Sequence, residues 1–389
     1  MRKLNKKNIL FISGSRADFG LLSSLIKKLQ KKKTFNTKVL ALAQHTNNKF
    51  GETFSEIKSD KIKNVIKMKK KIISSKDIDI SNYFSEVVKK TNKIISQNKP
   101  DLLIVLGDRF EIMGSVISAY LNNVKIAHIH GGEKTYGSKD DCLRHSISKL
   151  SNYHFVSHTN YRERLIQLGE NKKNIYVVGG LGAERINKTK YLSKKKLEKK
   201  LKIKLFKKKN FLITFNSFEK KTNETEKKLD LFLSVLEKFE DTNFIFTLAN
   251  HDPFSDIINK KIKIFCNSNK NAFVFKSLGF KNYISLLKQC DLIIGNSSSG
   301  ILEAPSFGIP TINIGLRQKG RIFAKSIIQA SYSKKNIYKI IINMQNKKFR
   351  NYNPYFVSNT SSKIIEILNK INLRENQKFK EFVDIKLKK

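Results

Sequence analysis

The chain alternates short apolar runs with segments of helical periodicity along most of its length, and this alternation limits the possible folds. Apolar strands separated by helices are typical of parallel sheets that helices cover on both faces. The predicted strands form two series: first Ile9–Ser13, Lys38–Ala43, Leu102–Leu106, Val124–Ile129, His154–Ser157 and Ile175–Val178, then Phe211–Phe215, Phe244–Leu248, Ala272–Phe275, Leu292–Ile294 and Thr311–Ile314. We therefore predict an α/β protein with two Rossmann-like parallel-sheet domains facing a cleft.

A lysine-rich stretch separates the two series. Residues 186–209 are interpreted as a polar helix plus linker, between an N-terminal domain over 1–185 and a C-terminal domain over 210–360. Residues 361–389 form a final helix and tail that we expect to pack back on the first domain. The chain of 389 residues is long enough for two hydrophobic cores. A cleft between two such domains is where we expect the ligand.

The net charge of +45 raises the question of a nucleic acid or membrane partner. The excess is nearly all lysine and is spread along the whole chain, so we favour solvated surface lysines and no specific nucleic acid or membrane partner. A positive field still attracts an anionic substrate. No apolar run reaches the roughly 18 residues of a spanning helix. The three cysteines, Cys142, Cys266 and Cys290, are far apart, which favours a reducing cytoplasm.

Acids and histidines follow two neighbouring predicted strands. Ligands of open α/β sheets bind outside the carboxyl ends of the strands. Crowded carboxylates shift one another's pKa, which provides a general acid beside a base. The alternatives are satisfied packing histidines, helix caps and local ion pairs, namely Asp108–Arg109 and Asp141–Arg144. No metal site is predicted. The residues of this cluster are Asp108, Arg109, Glu111, His130, Glu133, Asp140, Asp141 and His145.

The first predicted strand ends in a turn of small residues, Ser13–Gly20, directly before a helical segment. Such a turn presents backbone N–H groups to an anion, and Arg16 adds a forked donor for phosphate. A tight structural turn explains the same residues equally well. Because the pattern is not G-x-G-x-x-G, no dinucleotide site is predicted.

The second series of strands offers a further phosphate site in Gly295–Gly300, a turn rich in serine. Hydroxyls and backbone N–H groups at a strand-to-helix junction suit a diphosphate. Glu303 follows one turn later, where a carboxylate accepts from ribose hydroxyls, and Gly315–Arg321 adds cationic donors. A serine helix cap and simple turn glycines are the alternatives.

At these residues the chain resembles the hydrolysing UDP-N-acetylglucosamine 2-epimerases, which supply sugars for sialic and legionaminic acids. The resemblance covers most of the chain and rests on GSRADFG, VLGDRFE, AHIHGGE, DDCLRHSISKLS, the block from GNSSSG to EAPSFGIPTIN, and GLRQKGR, in that order. It implies a GT-B-like fold, nucleotide held mostly by the C-terminal domain, and elimination of UDP to a glycal followed by hydration. This chemistry needs no redox cofactor. We also expect a homo-oligomer.

The resemblance implies roles for individual residues. Asp108 and Asp140 are the expected acid–base residues, with His130 and Glu133 assisting. The substrate- or nucleotide-binding candidates are Arg16, Asp18, Arg109, Asn250, Ser297, Ser298, Glu303 and Arg317.

Two departures from the family pattern bear on substrate and activity. Many relatives have Glu where this chain has His130, and a His-Pro pair where it has Asn216-Ser217. The alternatives are a non-hydrolysing 2-epimerase, which returns the UDP-sugar, and a GT-B glycosyltransferase. A non-catalytic nucleotide-sugar or RNA-binding protein is a further alternative from a different class.

Overall fold

The structure is a computed structural model, and it describes residues 6–46, 53–68, 77–136, 139–205, 209–216, 222–249, 255–373 and 380–385. The chain divides into two compact units. Unit 1 comprises Met1–Glu133, Ser138–Arg185 and Val357–Lys389, and unit 2 comprises Lys134–Gly137 and Ile186–Phe356. Each unit is built around one parallel sheet, which confirms the predicted α/β class with two Rossmann-like sheets.

The strands of unit 1 are β1 Lys7–Ser13, β2 Phe35–Ala41, β3 Val65–Lys67, β4 Leu102–Leu106, β5 Lys125–Ile129, β6 Tyr153–Val156 and β7 Ile175–Val177. The strands of unit 2 are β8 Lys209–Thr214, β9 Thr242–Thr247, β10 Ala272–Phe275, β11 Leu292–Gly295, β12 Thr311–Ile314 and β13 Ile327–Ala330. The short strands β3 and β13 were not among the predicted strands.

The helices are α1 Arg16–Gln30, α2 Thr53–Ser59, α3 Asp77–Asn98, α4 Phe110–Leu121, α5 Lys139–Leu150, α6 Thr159–Gln167, α7 Leu181–Asn187, α8 Lys194–Leu201, α9 Thr222–Leu236, α10 Ser255–Ser268, α11 Gly279–Leu287, α12 Ser299–Leu302, α13 Lys334–Met344 and α14 Thr360–Lys370. Short 3-10 helices cover Ala43–Thr46, Lys172–Asn174 and Ala304–Phe307.

The strand order reverses once in each sheet. The order is β3-β2-β1-β4-β5-β6-β7 in unit 1 and β10-β9-β8-β11-β12-β13 in unit 2, and every pairing is parallel. The reversal falls between β1 and β4 in the first sheet and between β8 and β11 in the second. Ligands of doubly wound sheets bind at such switch points, outside the carboxyl ends of the strands.

Alternate residues of the central strands enter different cores. In β1, Ile9 and Phe11 pack with α1 and α14 on one face, while Leu10 and Ile12 pack with α3 and α4 on the other. Burial on both faces explains why these strands appear in the sequence as continuous apolar runs. Both faces of the sheet are therefore covered, and its carboxyl edge carries the polar turns.

The lysine-rich stretch and the C-terminal helix each belong to a core. Leu197 and Leu201 of α8 are buried against Leu212 of β8 in unit 2. Ile364 and Leu368 of α14 are buried with α1 in unit 1, and the Thr360 hydroxyl donates to the Val178 carbonyl at 2.9 Å. Lysines of α8 therefore lie on a helix whose apolar side is packed.

Candidate active site

The turn after β1 is organised by a buried carboxylate, Asp18. Its oxygens accept from the backbone N–H groups of Gly14 and Ser15, both at 2.8 Å, and from the Ser15 hydroxyl at 2.7 Å. Ser15 and Asp18 form a capping box at the start of α1. Arg16, the first residue of that helix, is exposed. Asp18 thus fixes the turn from which Arg16 extends. Its S-x-x-D spacing from Ser15 is typical of such a cap, but Asp18 was predicted only as a binding residue.

The turn after β4 carries an ion pair between a buried carboxylate, Glu111, and a partly exposed guanidinium, Arg109. Glu111, which is fully buried, accepts from Nε of Arg109 at 2.5 Å, and its Cγ lies against Gly14. Burial raises the pKa of Glu111, and the Arg109 guanidinium opposes that shift. The same carboxylate raises the pKa of Arg109, with smaller contributions from Asp140 and Asp18. Arg109 is therefore held as a cation among acids at the switch point.

Arg144 of α5 is the centre of the acidic cluster. Its side chain is only 4% exposed. Nη2 pairs with Asp108, and Nη1 donates to Asp141 at 3.0 Å and to the Glu133 carbonyl at 3.1 Å. One guanidinium therefore connects the turns after β4 and β5 to α5. The sequence indicated Arg144 only as a local partner of Asp141.

His128 of β5 is fully buried, and both of its ring nitrogens are hydrogen-bonded. It therefore matches the packing histidine that the sequence offered as an alternative to a catalytic one. Nε2 lies 2.8 Å from the Gly107 carbonyl and Nδ1 lies 2.9 Å from the Ser148 hydroxyl. A carbonyl only accepts, so Nε2 carries the proton and Nδ1 accepts from Ser148. Burial lowers the pKa of His128 to about 3, which keeps the ring neutral.

Gly131 leaves space for the hydrogen bond between His128 and Ser148. A Cβ at residue 131 would lie 2.8 Å from Ser148 Oγ and 3.0 Å from His128 Nδ1. Any side chain there would press on the hydrogen bond between them. Residue 131 of the HIHGG turn must therefore be glycine, because Ser148 and His128 lie too close to its backbone for a side chain.

His130 and Glu133 form a second, differently arranged pair. His130 has a left-handed backbone, with φ +65°, and its Nδ1 lies 3.0 Å from Glu133 Oε1. That carboxylate oxygen also accepts from the Ser157 hydroxyl at 3.2 Å. His130 Nε2 is buried and has no hydrogen-bond partner among the residues that the structure describes. A carboxylate on one ring nitrogen leaves the other for a proton transfer.

The first turn of α5 adds two more carboxylates. Asp140 and Asp141 lie there, partly exposed, and His145 Nε2 lies 3.7 Å from Asp141. In unit 1 the structure thus brings Asp108, Arg109, His130, Glu133 and Asp140 to one edge of the sheet. Within the described parts of the chain, no group of three or more His, Cys, Asp or Glu residues is suited to hold a metal ion.

In unit 2 the turn after β11 has a backbone that only glycine adopts readily. Gly295 has φ +138°, and a Cβ there would collide with the Thr214 carbonyl. Asn296 then spans the switch point: its side chain accepts from the Asn216 N–H at 2.7 Å and donates to the Asn216 carbonyl at 2.6 Å. The Asn216 Oδ1 atom is buried without a partner among the described residues.

The serine-rich turn continues into a chain of hydroxyls. Ser299 donates to Glu303 at 2.5 Å and lies 2.5 Å from the Tyr283 hydroxyl. Burial raises the pKa of Tyr283, so it remains a neutral phenol. Ser297 and Ser298 are partly exposed. Glu303 is thus bonded within the turn, and the Ser297 hydroxyl accepts from the Ser299 N–H at 3.3 Å.

Arg317 and Gln318, in the turn after β12, both donate to the Asn296 carbonyl, at 3.2 and 2.9 Å. The turns after β11 and β12 are therefore bonded to each other at the carboxyl edge of the sheet. Asn250 and Ser217 lie outside the described residues, so the expectation for Asn250 stays a prediction.

Sequence comparisons identify relatives that match nearly the whole chain. The Escherichia coli "Polysialic acid biosynthesis protein P7" is 35% identical over 97% of this chain and 98% of its own. The Campylobacter jejuni "GDP/UDP-N,N'-diacetylbacillosamine 2-epimerase (hydrolyzing)" is 37% identical over 84% of this chain and 85% of its own.

Solved structures show the same fold. UDP-GlcNAc 2-epimerase from Neisseria meningitidis bound to UDP-GlcNAc superposes with a TM-score of 0.79 at 20% identity, covering 94% of this chain and 100% of that chain. In the part of this chain that the structure describes, no helix is both long and apolar enough to cross a membrane. The family described as UDP-N-acetylglucosamine 2-epimerase matches residues 27–369. The resemblance predicted from the sequence is therefore confirmed: the chain belongs to the UDP-N-acetylglucosamine 2-epimerase family.

Proposed function

We propose that the chain is a hydrolysing 2-epimerase, which converts a UDP-activated 2-acetamido sugar into UDP and a free sugar inverted at C2. The family membership and the names of the two relatives support this reaction. The observation that carries this proposal is the His130–Glu133 pair. Glu133 contacts one ring nitrogen of His130, and the other, Nε2, is buried and has no partner among the described residues. A reaction that moves a proton at carbon needs such a group.

The proposed reaction has two steps. A base removes the C2 proton, the electron pair forms the C1=C2 double bond, and the C1–O bond breaks so that UDP leaves with its electron pair. Water then adds to the resulting glycal, with hydroxyl going to C1 and a proton going to C2 from the opposite face. Two proton-handling groups on different sides of the ring are therefore required.

The cluster of unit 1 offers two such groups. We assign one to the His130–Glu133 pair and the other to the carboxylates Asp108 and Asp140. Arg144 pairs with Asp108 and fixes the orientation of its carboxylate. Arg109, held as a cation by Glu111, is suited to stabilise negative charge that develops on the departing diphosphate.

We assign nucleotide binding to the turns of unit 2. Ser297 and Ser298 are partly exposed after β11, and Arg317 follows β12. Hydroxyl and guanidinium donors match the oxygens of a diphosphate. Arg16 in unit 1 is a further cationic contact, and the overall charge of +45 favours encounter with an anionic substrate.

We propose UDP-N-acetylglucosamine or UDP-N,N'-diacetylbacillosamine as the substrate. The name of the Campylobacter relative includes both GDP and UDP forms of the second sugar. We propose that the product is a precursor of sialic acid, which the Escherichia coli relative's name suggests, or of legionaminic acid. We further propose that the enzyme acts in the cytoplasm as a homo-oligomer.

The test is incubation of the protein in deuterium oxide with UDP-N-acetylglucosamine and with the UDP and GDP forms of diacetylbacillosamine. From the substrate that is turned over we expect the free nucleoside diphosphate, UDP or GDP, and a free sugar that carries one deuterium at C2, detected by mass spectrometry. A deuterated sugar that stays attached to UDP would instead indicate the non-hydrolysing reaction. No turnover together with steep salt-dependent RNA binding would contradict the proposal.

Variants test the residue assignments. His130→Gln and Asp108→Asn are expected to lower kcat by about 100-fold or more, because general acid–base groups contribute on that scale. UDP affinity should change less than threefold, since the nucleotide is assigned to unit 2. Asp60→Asn, which removes only a partly exposed pair with Lys27, is the matched control. Equal loss of turnover and UDP affinity would contradict these roles.

A further inference from the structure

The described end of the chain, residues 380–385, is bonded to the end of helix α5. The Lys380 ammonium donates to the carbonyls of Lys149 and Ser151 at 2.6 and 2.7 Å, and to that of Ser148 at 3.4 Å. The last carbonyls of a helix have no intrahelical donor, and they carry the negative end of the helix dipole. Lys380 therefore caps α5 from a distant part of the sequence.

The same ammonium neutralises a buried acid, Glu170. Lys380 Nζ lies 2.5 Å from Oε2 of Glu170, and Lys149 Nζ lies 3.2 Å from Oε1. His154 also contacts Oε2, at 2.9 Å, and burial lowers the pKa of this histidine. The Glu170 side chain is 1% exposed, so its charge depends on these partners.

Two neighbouring residues fix the segment beside Lys380. The Val383 N–H donates to the Gly169 carbonyl at 3.0 Å. The Phe382 ring lies against Gly169 and 4.3 Å from the Lys149 ammonium. Lys380 is therefore held in register with the end of α5.

The capped turn of α5 is connected to the acid–base cluster. The Ser148 carbonyl accepts from Lys380, while its hydroxyl bonds to His128, which in turn holds the Gly107 carbonyl. Gly107 directly precedes Asp108. Earlier in the same helix, Arg144 pairs with Asp108. A displacement of α5 would therefore move Asp108 through two separate connections.

We propose that Lys380 is a positioning residue for the acid–base cluster, and that it acts by holding α5 against the β4 and β5 turns. This role rests on the proposed function. Loss of the ammonium leaves the terminal carbonyls of α5 and Glu170 without their nearest cation, which loosens the helix. A misplacement of about 1 Å lowers turnover by up to about 100-fold in enzymes.

The experiment compares full-length wild type, Lys380→Met, Lys380→Arg and the surface control Lys89→Met, well below the melting temperature of each. Steady-state kinetics, UDP affinity and the fraction of product released as glycal are measured in one series. For Lys380→Met we expect kcat to fall about tenfold and glycal release to rise, while UDP affinity stays within twofold. Lys380→Arg should retain at least half of the wild-type kcat. Hydrogen exchange at the α5 amides should accelerate in Lys380→Met only.

Three results would overturn the role of Lys380. The first is that Lys380→Met does not differ from Lys89→Met in kcat, in glycal release or in hydrogen exchange of α5. The second is a parallel fall of turnover and UDP affinity, which indicates a general folding defect. The third is an equal loss in Lys380→Arg. Absence of wild-type turnover would instead refute the proposed function, and α5 exchange would still test the contact.

Discussion

Burial of His128 makes the stability of unit 1 depend on pH in a calculable way. The pKa of this histidine falls from 6.5 to about 3 because the ring is fully removed from water. The unfolded chain therefore binds a proton as pH drops below 6.5, whereas the folded chain stays neutral until about pH 3. More protons are bound in the unfolded state, so the free energy of unfolding falls as pH falls through this window.

The size of the effect follows from the two pKa values. Each pH unit inside the window changes the free energy of unfolding by at most about 1.4 kcal/mol. Between pH 7 and pH 5 the loss from this one group is about 2 kcal/mol. Over the full window it reaches about 5 kcal/mol. A two-kilocalorie change is large against the net stability of a domain.

The assay is urea unfolding of wild type and His128→Gln at pH 7 and pH 5. Glutamine keeps a donor for the Gly107 carbonyl but does not titrate. We expect the variant to lose about 2 kcal/mol less than wild type between the two pH values. Ser148→Ala is the control. It removes the hydrogen bond to His128 Nδ1 but leaves the histidine buried, so the pH dependence of its free energy of unfolding should match that of wild type.

An equal pH dependence in wild type and His128→Gln would refute this reasoning. It would mean that the folded protein takes up a proton at His128 as readily as the unfolded chain does. The lowered pKa, which keeps the buried ring neutral at pH 5, would then be wrong.

Three further predictions concern the same elements. Arg144→Met should lower the free energy of unfolding by about 3 kcal/mol in the urea assay. This is the low end for a broken buried ion pair, because Asp108 is 24% exposed. The control Arg162→Met removes a surface pair and should lower the free energy of unfolding by less than about 1 kcal/mol. Gly131→Ala should cost about 1–3 kcal/mol by pressing on the His128–Ser148 bond, measured by thermal unfolding. Arg317→Met should weaken UDP binding about tenfold in calorimetry, the loss of one charged hydrogen-bond donor, with the pH dependence of unit 1 unchanged. Unchanged UDP affinity would indicate that the nucleotide does not contact the turn after β12.

The central strands could be predicted because burial on both faces leaves a continuous apolar signal. Leu102–Leu106 and Thr311–Ile314 were predicted with their observed bounds. The strand β3 spans only Val65–Lys67 and ends in an exposed lysine, so its pattern is too short to distinguish from a loop. In β13, Ile327–Ala330, two of the four residues are only partly buried or exposed, which weakens the signal in the same way.

For the candidate site, the sequence predicted which residues lie at the edge of the sheet but not how they are bonded to one another. Position after consecutive parallel strands correctly placed Asp108 and His130 at one edge of a sheet. The bond from His128 to Ser148 joins residues 20 positions apart on different elements, and no local pattern encodes it. Lys380 is farther still, 229 residues from Ser151, so its contact depends on the tertiary fold alone.

The two histidines of the HIHGG turn show why arrangement decides chemistry. His128 and His130 are two residues apart and have the same side chain. Strand geometry directs His128 into the packed interior, where both nitrogens are bonded and the ring is neutral. The strand ends at Ile129, and the left-handed backbone of His130 turns its ring toward Glu133. That carboxylate contacts Nδ1, and Nε2 has no partner within the described parts of the chain. His128 connects the β4 turn to α5, whereas proton transfer is the role proposed for His130. Replacing each by glutamine should therefore separate stability from turnover.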